Sequence, residues 1–172
     1  MRTLIEKGIV NKDTYVMDWG CGRGEDLRYL RRELGSWNAY GYDPYIDCPD
    51  NMYTVTTKDQ LPRFPIDVVT LIYVINVIEN IEERRKVLSD AFHLATKYLA
   101  IAVRTEKIPG TLKGDGVITK RKTFQRRYNI KELIAFITSA LGGAFKPTML
   151  QVLKPGLVVI TKGQSHVETT YR

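Results

Sequence analysis

Apolar and polar positions recur along the chain in a few periods, and each period implies an element. Tyr15, Val16 and Met17 form a short apolar run that ends in Asp18. Leu27, Leu30 and Leu34 then follow at helical spacing, with Gly35 where a left-handed cap belongs. This predicts a strand, a turn and a helix from Gly24 to Leu34. A second strand over 38–43 ends at Pro44. Tyr45 to Asn51 is polar, with a turn at Pro49-Asp50-Asn51. Met52 to Val55 predicts a short third strand, and Lys58 to Arg63 one helical turn closed by Pro62. Ile66 to Ile75 is almost continuously apolar, the pattern of a central strand buried on both faces of a parallel sheet.

Beyond it, Val87, Leu88, Ala91, Leu94 and Ala95 predict a helix over 81–97, with Glu82 and Lys86 as an outer i,i+4 pair. Tyr98 to Val103 is the next strand. Near the start, Leu4 to Val10 reads as a short helix stopped near Gly8. Asn129 is a plausible N-cap for Ile130 to Leu141, with Glu132 as its capping-box partner. Ala144 to Val152 and Leu157 to Lys162 predict two strands joined at Pro155-Gly156, a hairpin rather than another crossover. Helices alternating with strands, then a closing hairpin, predict an α/β fold: a Rossmann-like doubly wound sheet with one reversed strand near its edge. The expected division is a helical lead-in over 1–13, one domain over 14–162 and a polar tail over 163–172.

Between the first strand and helix stand Gly20, Gly22 and Gly24 at alternate positions, preceded by Asp18. Glycines there let the backbone turn tightly and let a ligand lie against bare main chain. Asp43 ends the next strand roughly 20 residues past the last glycine, where a nucleotide-ribose site needs a carboxylate. Asp18, Glu25 and Asp26 crowd the same loop. They would repel a dinucleotide's phosphates and tolerate a cationic sulfonium with an ammonium and a ribose. The loop is therefore expected to hold S-adenosylmethionine rather than a nicotinamide cofactor, with S-adenosylhomocysteine as product. Glu25 and Asp26 also complement the helix dipole. Cofactor contact is expected from Asp18, Gly20, Cys21, Gly22, Gly24, Asp43 and Pro44. Thr57, Lys58 and Asp59 are candidates near the adenine. Asn76 would face the sulfonium or the acceptor, or else cap the next helix.

The connection from Thr105 to Tyr128 is long for a compact domain, and such loops are usually functional or mobile. It holds the turn Gly114-Asp115-Gly116. Lys120, Arg121, Lys122, Arg126 and Arg127 interleave with Phe124 and Tyr128, a pattern that grips phosphates and stacks a base. The net charge of +7 and a pI near 9.4 agree with a polyanionic partner, so nucleic acid is the expected acceptor. Tyr73 and Arg104, near strand ends, and Asn76 are weak catalytic candidates, and no convincing general base stands out. His93 and His166 receive no role. No apolar run approaches the ~20 residues of a membrane span, and no Cys/His cluster has metal-ligand spacing. No signal peptide is recognised at the start. Cys21 and Cys48 are the only cysteines, and a reducing cytoplasm is the expected compartment.

The glycine loop, Asp43, the central strand and the terminal hairpin resemble, in sequence order, the class I S-adenosylmethionine-dependent methyltransferases. That resemblance implies a seven-stranded sheet of order 3-2-1-4-5-7-6 with strand 7 antiparallel. Val74-Ile75-Asn76-Val77-Ile78-Glu79 with Glu83-Arg84, then Gly114-Asp115-Gly116-Val117 and Thr123-Phe124-Gln125, are similar to the methyltransferase family associated with DNA phosphorothioation. The likeness runs from about Tyr15 to Lys162, although members of that family are longer chains. The Asn/Asp-Pro-Pro-aromatic tetrapeptide of amino-directed DNA methyltransferases is missing, with Ile75-Asn76-Val77-Ile78 at its place. A Pro-Cys pair is missing too, which disfavours ordinary adenine-N6 and cytosine-C5 methylation. A small molecule or a protein remains an alternative acceptor. A catalytically silent module that binds nucleic acid or a partner protein is the alternative to an enzyme.

Overall fold

The computed structural model describes residues 1–46 and 53–163. In chain order its elements are α1 (Arg2–Glu6), β1 (Val16–Trp19), α2 (Glu25–Leu34), β2 (Ala39–Tyr42), β3 (Thr54–Val55), β4 (Ile66–Ile72) and α3 (Ile81–Leu94). There follow β5 (Ala95–Ala102), β6 (Thr111–Lys113), β7 (Gly116–Ile118), β8 (Phe124–Gln125), α4 (Ile130–Leu141), β9 (Leu150–Lys154) and β10 (Leu157–Thr161). Cys48, the Pro49-Asp50-Asn51 turn, Met52, His166 and the tail beyond Gly163 lie outside the described residues.

Seven strands form one sheet in the order β3-β2-β1-β4-β5-β10-β9. Strands β1 to β5 pair in parallel, and β10 runs antiparallel to both β5 and β9. Numbered within that sheet, this is the expected 3-2-1-4-5-7-6 with the seventh strand reversed. Because side chains alternate along a strand, each strand supplies two cores. Val16, Ala39, Val68, Ala100 and Val159 pack with Leu4 of α1 and with Leu27 and Leu30 of α2. Met17, Val69, Leu99, Ile101 and Val158 pack on the other face with Leu88 and Phe92 of α3 and with Leu133 and Ile137 of α4. Each valine, leucine, isoleucine, methionine or phenylalanine among them contributes about 1.5–3 kcal/mol on full burial.

Several boundaries differ from the sequence expectation. The central strand stops at Ile72, because Tyr73 takes a left-handed φ of +59° and turns the chain out of the ladder. The helix expected to reach Lys97 ends at Leu94, and β5 starts at Ala95, paired with Ile66 of β4. Thr96 donates its hydroxyl to the Ile66 carbonyl at 2.9 Å, which holds that early start. The first helix runs Arg2–Glu6, and Gly8 follows at φ +68°. One 3₁₀ turn (Gly142–Ala144) ends at Ala144 and a second (Pro147–Met149) is opened by Pro147, so β9 begins only at Leu150. The long connection after β5 is a second, three-stranded antiparallel sheet of β6, β7 and β8.

Two helix starts matter for the site. Asn129 and Glu132 form the expected capping box of α4, each side chain accepting from the other's N–H at 2.9 Å. Asn80, not Asn76, caps α3, its side-chain oxygen accepting from the N–H groups of Glu82 (2.9 Å) and Glu83 (3.0 Å). Replacing this cap, Asn80→Ala, is expected to lower the unfolding free energy in urea by about 1 kcal/mol, with Asn80→Asp close to wild type.

Candidate active site

The glycine loop links the end of β1 to the start of α2, and backbone hydrogen bonds hold it to the end of β2. Gly20 and Cys21 donate to the Tyr42 carbonyl at 2.6 and 3.2 Å. Gly22 donates to Asp43 Oδ2 at 3.0 Å, while Tyr45 and Ile46 donate to Asp43 Oδ1 at 2.9 and 3.1 Å. A carboxylate offers about four acceptor positions, so this buried group keeps room for about one further donor. Gly20 sits at φ +82°, and a Cβ there would lie 2.6 Å from Val74 Cγ2. Only glycine fits a turn that is both left-handed and pressed against the chain leaving β4.

A cavity of about 380 Å³ opens at the carboxyl ends of β1, β2 and β4, on the face covered by α3. It lies within the ~300–1,000 Å³ range of small-ligand sites. Trp19, Gly20, Tyr42, Asp43, Pro44 and Tyr45 form one side, and Lys58, Tyr73, Val74, Val77, Ile78, Glu83, Lys86 and Val87 are among the rest. Trp19 and Tyr42 meet edge to face at 4.7 Å. Both lysines pair with Asp90: Lys58 closely and Lys86 at 3.7 Å. Asp90 offsets one of those two positive charges, so with Asp43 and Glu83 the carboxylates around the cavity outnumber the lysines by one.

Asp18 is buried beneath the loop on the α2 face and accepts from the Thr70 hydroxyl at 2.8 Å. Burial, then the neighbouring Asp26 carboxylate, push its pKa from 3.8 up to about 7, against the Thr70 hydrogen bond and the chain's amino terminus, with Asp43 adding to the rise.

The second sheet is fastened beside this cavity by Arg84. Its side chain is wholly buried on the α3 stripe that carries Leu88 and Ala91. It donates to Ile78 O (3.0 and 2.7 Å), Glu79 O (3.3 Å), Tyr128 Oη (3.1 Å) and both oxygens of Asp115 (2.8 and 3.2 Å). Phe124 and Phe136 flank the guanidinium at 5.6 and 5.8 Å. One buried cation thus joins the Ile78 wall of the cavity to the β6–β7 turn and to the segment before α4. Burial holds the Tyr128 pKa above its usual value despite Arg84 and Arg126.

Of the residues read from sequence as cofactor contacts, Gly20, Asp43 and Pro44 line the cavity. Gly22 supports Asp43 through its N–H, and Gly24 caps α2 in the left-handed conformation. Asp18 and Cys21 lie behind the loop: the Cys21 side chain packs in the α2-side core, because the left-handed turn at Gly20 breaks the strand alternation just before it. Asp59 is exposed on a 3₁₀ turn, and its neighbour Lys58 faces the cavity instead. Asn76 is fully buried. Its Nδ2 donates to Gln125 Oε1 at 3.2 Å, its carbonyl accepts from Arg126 N–H at 2.7 Å, and its Oδ1 has no hydrogen-bond partner. Tyr73, 53% exposed, lines the cavity, and the Arg104 guanidinium lies 6.0 Å above its ring.

The basic segment divides in two. Lys120, Arg121 and Lys122 form the exposed β7–β8 tip, and Arg127 is exposed near its base. Phe124 and Tyr128, expected to stack a base, are core side chains at 7% and 0% exposure. Arg126 pairs closely with Asp115 and stacks on Tyr128 at 4.5 Å. The aromatic rings of this segment therefore anchor the second sheet. Trp19, Glu83 and the Val77-Ile78 wall were missed from the sequence. Trp19 carried a usable signal, standing between Asp18 and Gly20 at the carboxyl end of a central strand. Arg84 carried one too, at i−4 and i−7 from Leu88 and Ala91.

Among the described residues no three His, Cys, Asp or Glu side chains are grouped to hold a metal ion, and no helix is long and apolar enough to cross a membrane. A family model described as a methyltransferase domain matches residues 3–104. Among solved structures, a chain of the Pnkp1/Rnl/Hen1 RNA repair complex is similar with TM-score 0.64 at 17% identity, over 94% of this chain and 40% of that one. This chain therefore spans well under half the length of that relative. Magnesium protoporphyrin IX methyltransferase from Synechocystis PCC 6803, with S-adenosylmethionine bound, gives 0.57 at 18% identity over 93% and 74%. A methyltransferase from Methanosarcina mazei gives 0.59 at 12% over 91% and 94%. At these identities the likeness is one of fold. No curated protein matches the chain.

Asp18 holds its proton to a higher pH folded than unfolded, so folding takes up a proton between about pH 4 and 7. Stability from this group is full below that window and is lost as pH rises through it. The wild-type unfolding free energy is expected to fall by about 2–3 kcal/mol from pH 5 to pH 8 through this group. In Asp18→Asn, which keeps an acceptor for Thr70, that fall disappears; urea titrations at both pH values measure it.

Proposed function

The chain belongs to the methyltransferase-domain family, and we propose that it transfers a methyl group from S-adenosylmethionine to a nucleic acid. The observation that carries the cofactor assignment is the cavity beside the glycine loop, where the carboxylates of Asp43, Glu83 and Asp90 outnumber the two lysines and leave a net negative charge. Such a wall favours a cationic nucleoside ligand and disfavours a pyrophosphate. The main chain takes part as well, since Gly20 itself lines the cavity at the left-handed turn that presses the loop against Val74. Asp43, with about one acceptor position left, would take a hydroxyl of the ribose, and Trp19, Tyr42 and Tyr45 would bound the adenosine. When bound, S-adenosylmethionine supplies an electrophilic methyl group on a sulfonium centre. The residues' own contribution is positioning, which holds an acceptor near 3–3.5 Å from the carbon it attacks. No side chain of the cavity is assigned as a general base.

Nucleic acid as acceptor rests on where the charge lies. The segment from Arg104 to Tyr128 holds eight basic residues against two acids, nearly the whole net charge of the chain. One of the two acids, Asp115, is already paired with Arg84 and Arg126. The positive surface therefore belongs to the second sheet and its exposed tip, and the β6–β7 turn of that sheet lies against the Val77-Ile78 wall of the cavity; such a surface would track a phosphate backbone.

Isothermal titration is expected to show S-adenosylhomocysteine binding with a dissociation constant on the order of micromolar. Affinity should fall tenfold or more in Asp43→Ala, and NAD should not bind. A folded wild-type protein that ignores S-adenosylhomocysteine, or prefers NAD, would refute the cofactor assignment. Labelled-methyl transfer is expected to RNA or DNA. Label confined to small molecules or proteins would refute the acceptor assignment, and binding without transfer to anything would leave a silent module.

A further inference from the structure

A second cavity, of about 410 Å³, lies at the carboxyl end of β5 and is walled by Tyr73, Val103, Arg104, Thr105, Glu106, Lys154 and Pro155. It shares Tyr73 with the first cavity, so that one ring stands between the two. We propose that this second cavity is the acceptor subsite and that it receives one nucleotide unit: the base against the Tyr73 ring and its phosphate between Arg104 and Lys154. The inference rests on the methyltransferase reading above and names the part of the acceptor that meets the protein first.

Three observations carry it. Tyr73 has a left-handed φ of +59°, a conformation that costs a bulky residue of order 1–3 kcal/mol and persists where the surroundings over-determine it. Its N–H is held by the Ala102 carbonyl at 2.9 Å, so the strain presents a half-exposed aromatic ring at the boundary of the two cavities. Arg104 lies 6.0 Å over that ring, an arrangement in which a guanidinium and an aromatic face together bound a planar group. Neither Arg104 nor Lys154 joins an ion pair among the described residues. Against these two cations the wall carries one acid, Glu106, which leaves a net positive site.

The floor of the cavity is rigid. Gly156, at φ +76°, brings the β9–β10 turn so close to β5 that a Cβ would lie 2.6 Å from the Val103 carbonyl oxygen. Val103 N–H returns a hydrogen bond to Gly156 O at 2.8 Å. That seam fixes the backbone at Lys154 and Pro155 beside Arg104. The backbone N–H of Tyr128 also donates to Arg104 O at 2.8 Å, which ties the segment after β8 to the same point.

The test is fluorescence anisotropy with labelled single-stranded RNA and DNA twelve-mers across a salt series, beside a titration of each variant with S-adenosylhomocysteine. Arg104→Glu/Lys154→Glu is expected to weaken oligonucleotide binding at least tenfold and to reduce the magnitude of the salt slope by about 0.7, the share of one phosphate. Tyr73→Gly is expected to weaken it at least fivefold while the unfolding free energy stays level or rises, because glycine relieves the strained φ. Tyr73→Phe should retain binding. Competition by free nucleoside monophosphates would assign the phosphate to a free nucleotide, and its absence to a strand. Unchanged oligonucleotide affinity in both the charge-reversed and Tyr73→Gly proteins, with S-adenosylhomocysteine still bound, would overturn the subsite. Failure of the wild type to bind S-adenosylhomocysteine would instead overturn the reading beneath it.

Discussion

Three backbone N–H groups converge on the carboxylate of Asp43, and the geometry of the whole cavity follows from that convergence. Gly22 comes from the loop after β1, while Tyr45 and Ile46 come from the chain leaving β2. A buried anion must be matched by donors, and these donors lie on both sides of the crevice between two parallel strands. The loop is therefore held down on the sheet, Gly20 is pressed against Val74, and Trp19 meets Tyr42 edge to face at the cavity wall. The same carboxylate lines the cavity and has room for about one further donor, so in the proposed reading one group would serve the fold and the ligand together.

Arg84 plays the corresponding part on the opposite wall. A wholly buried guanidinium is costly unless its donors are used, and here they go to Ile78, Glu79, Tyr128 and Asp115. The consequence is mechanical: the turn after β4, which walls the cavity, and the second sheet, which carries most of the charge, are attached to one rigid side chain. Asn76 sits in the same junction, reaching Gln125 of β8 and leaving its Oδ1 unpartnered. Cofactor cavity and basic surface are thus parts of one assembly rather than neighbours by accident of topology.

How far this was legible in the sequence depends on how local each cause is. The glycine loop, Asp43 and the Asn129–Glu132 capping box rest on residues close together in the chain or on a fixed strand–turn–helix spacing, and they are where the pattern puts them. The sheet order follows from alternating elements and the Pro155-Gly156 turn. The strands β6, β7 and β8 are two or three residues long, too short for an alternating period to emerge, so the segment read as an irregular loop. Phe124 and Tyr128 looked like stacking residues because basic neighbours surround them. Their burial is set by Arg84, about forty residues earlier in the chain, which no local window includes. The end of α3 was ambiguous for another reason: Leu94 and Ala95 fit a helical stripe and a buried strand equally well, and pairing with β4 decided it.

Ultraviolet crosslinking with methyl-labelled S-adenosylmethionine, followed by peptide mapping, tests the central claim most directly, because it asks where the ligand rests without altering Asp43. The expected result is label on peptides carrying Trp19, Tyr42 or Tyr45, or on the peptide carrying Tyr73, competed away by S-adenosylhomocysteine. Label elsewhere on the folded protein, or none that S-adenosylhomocysteine displaces, would contradict the account.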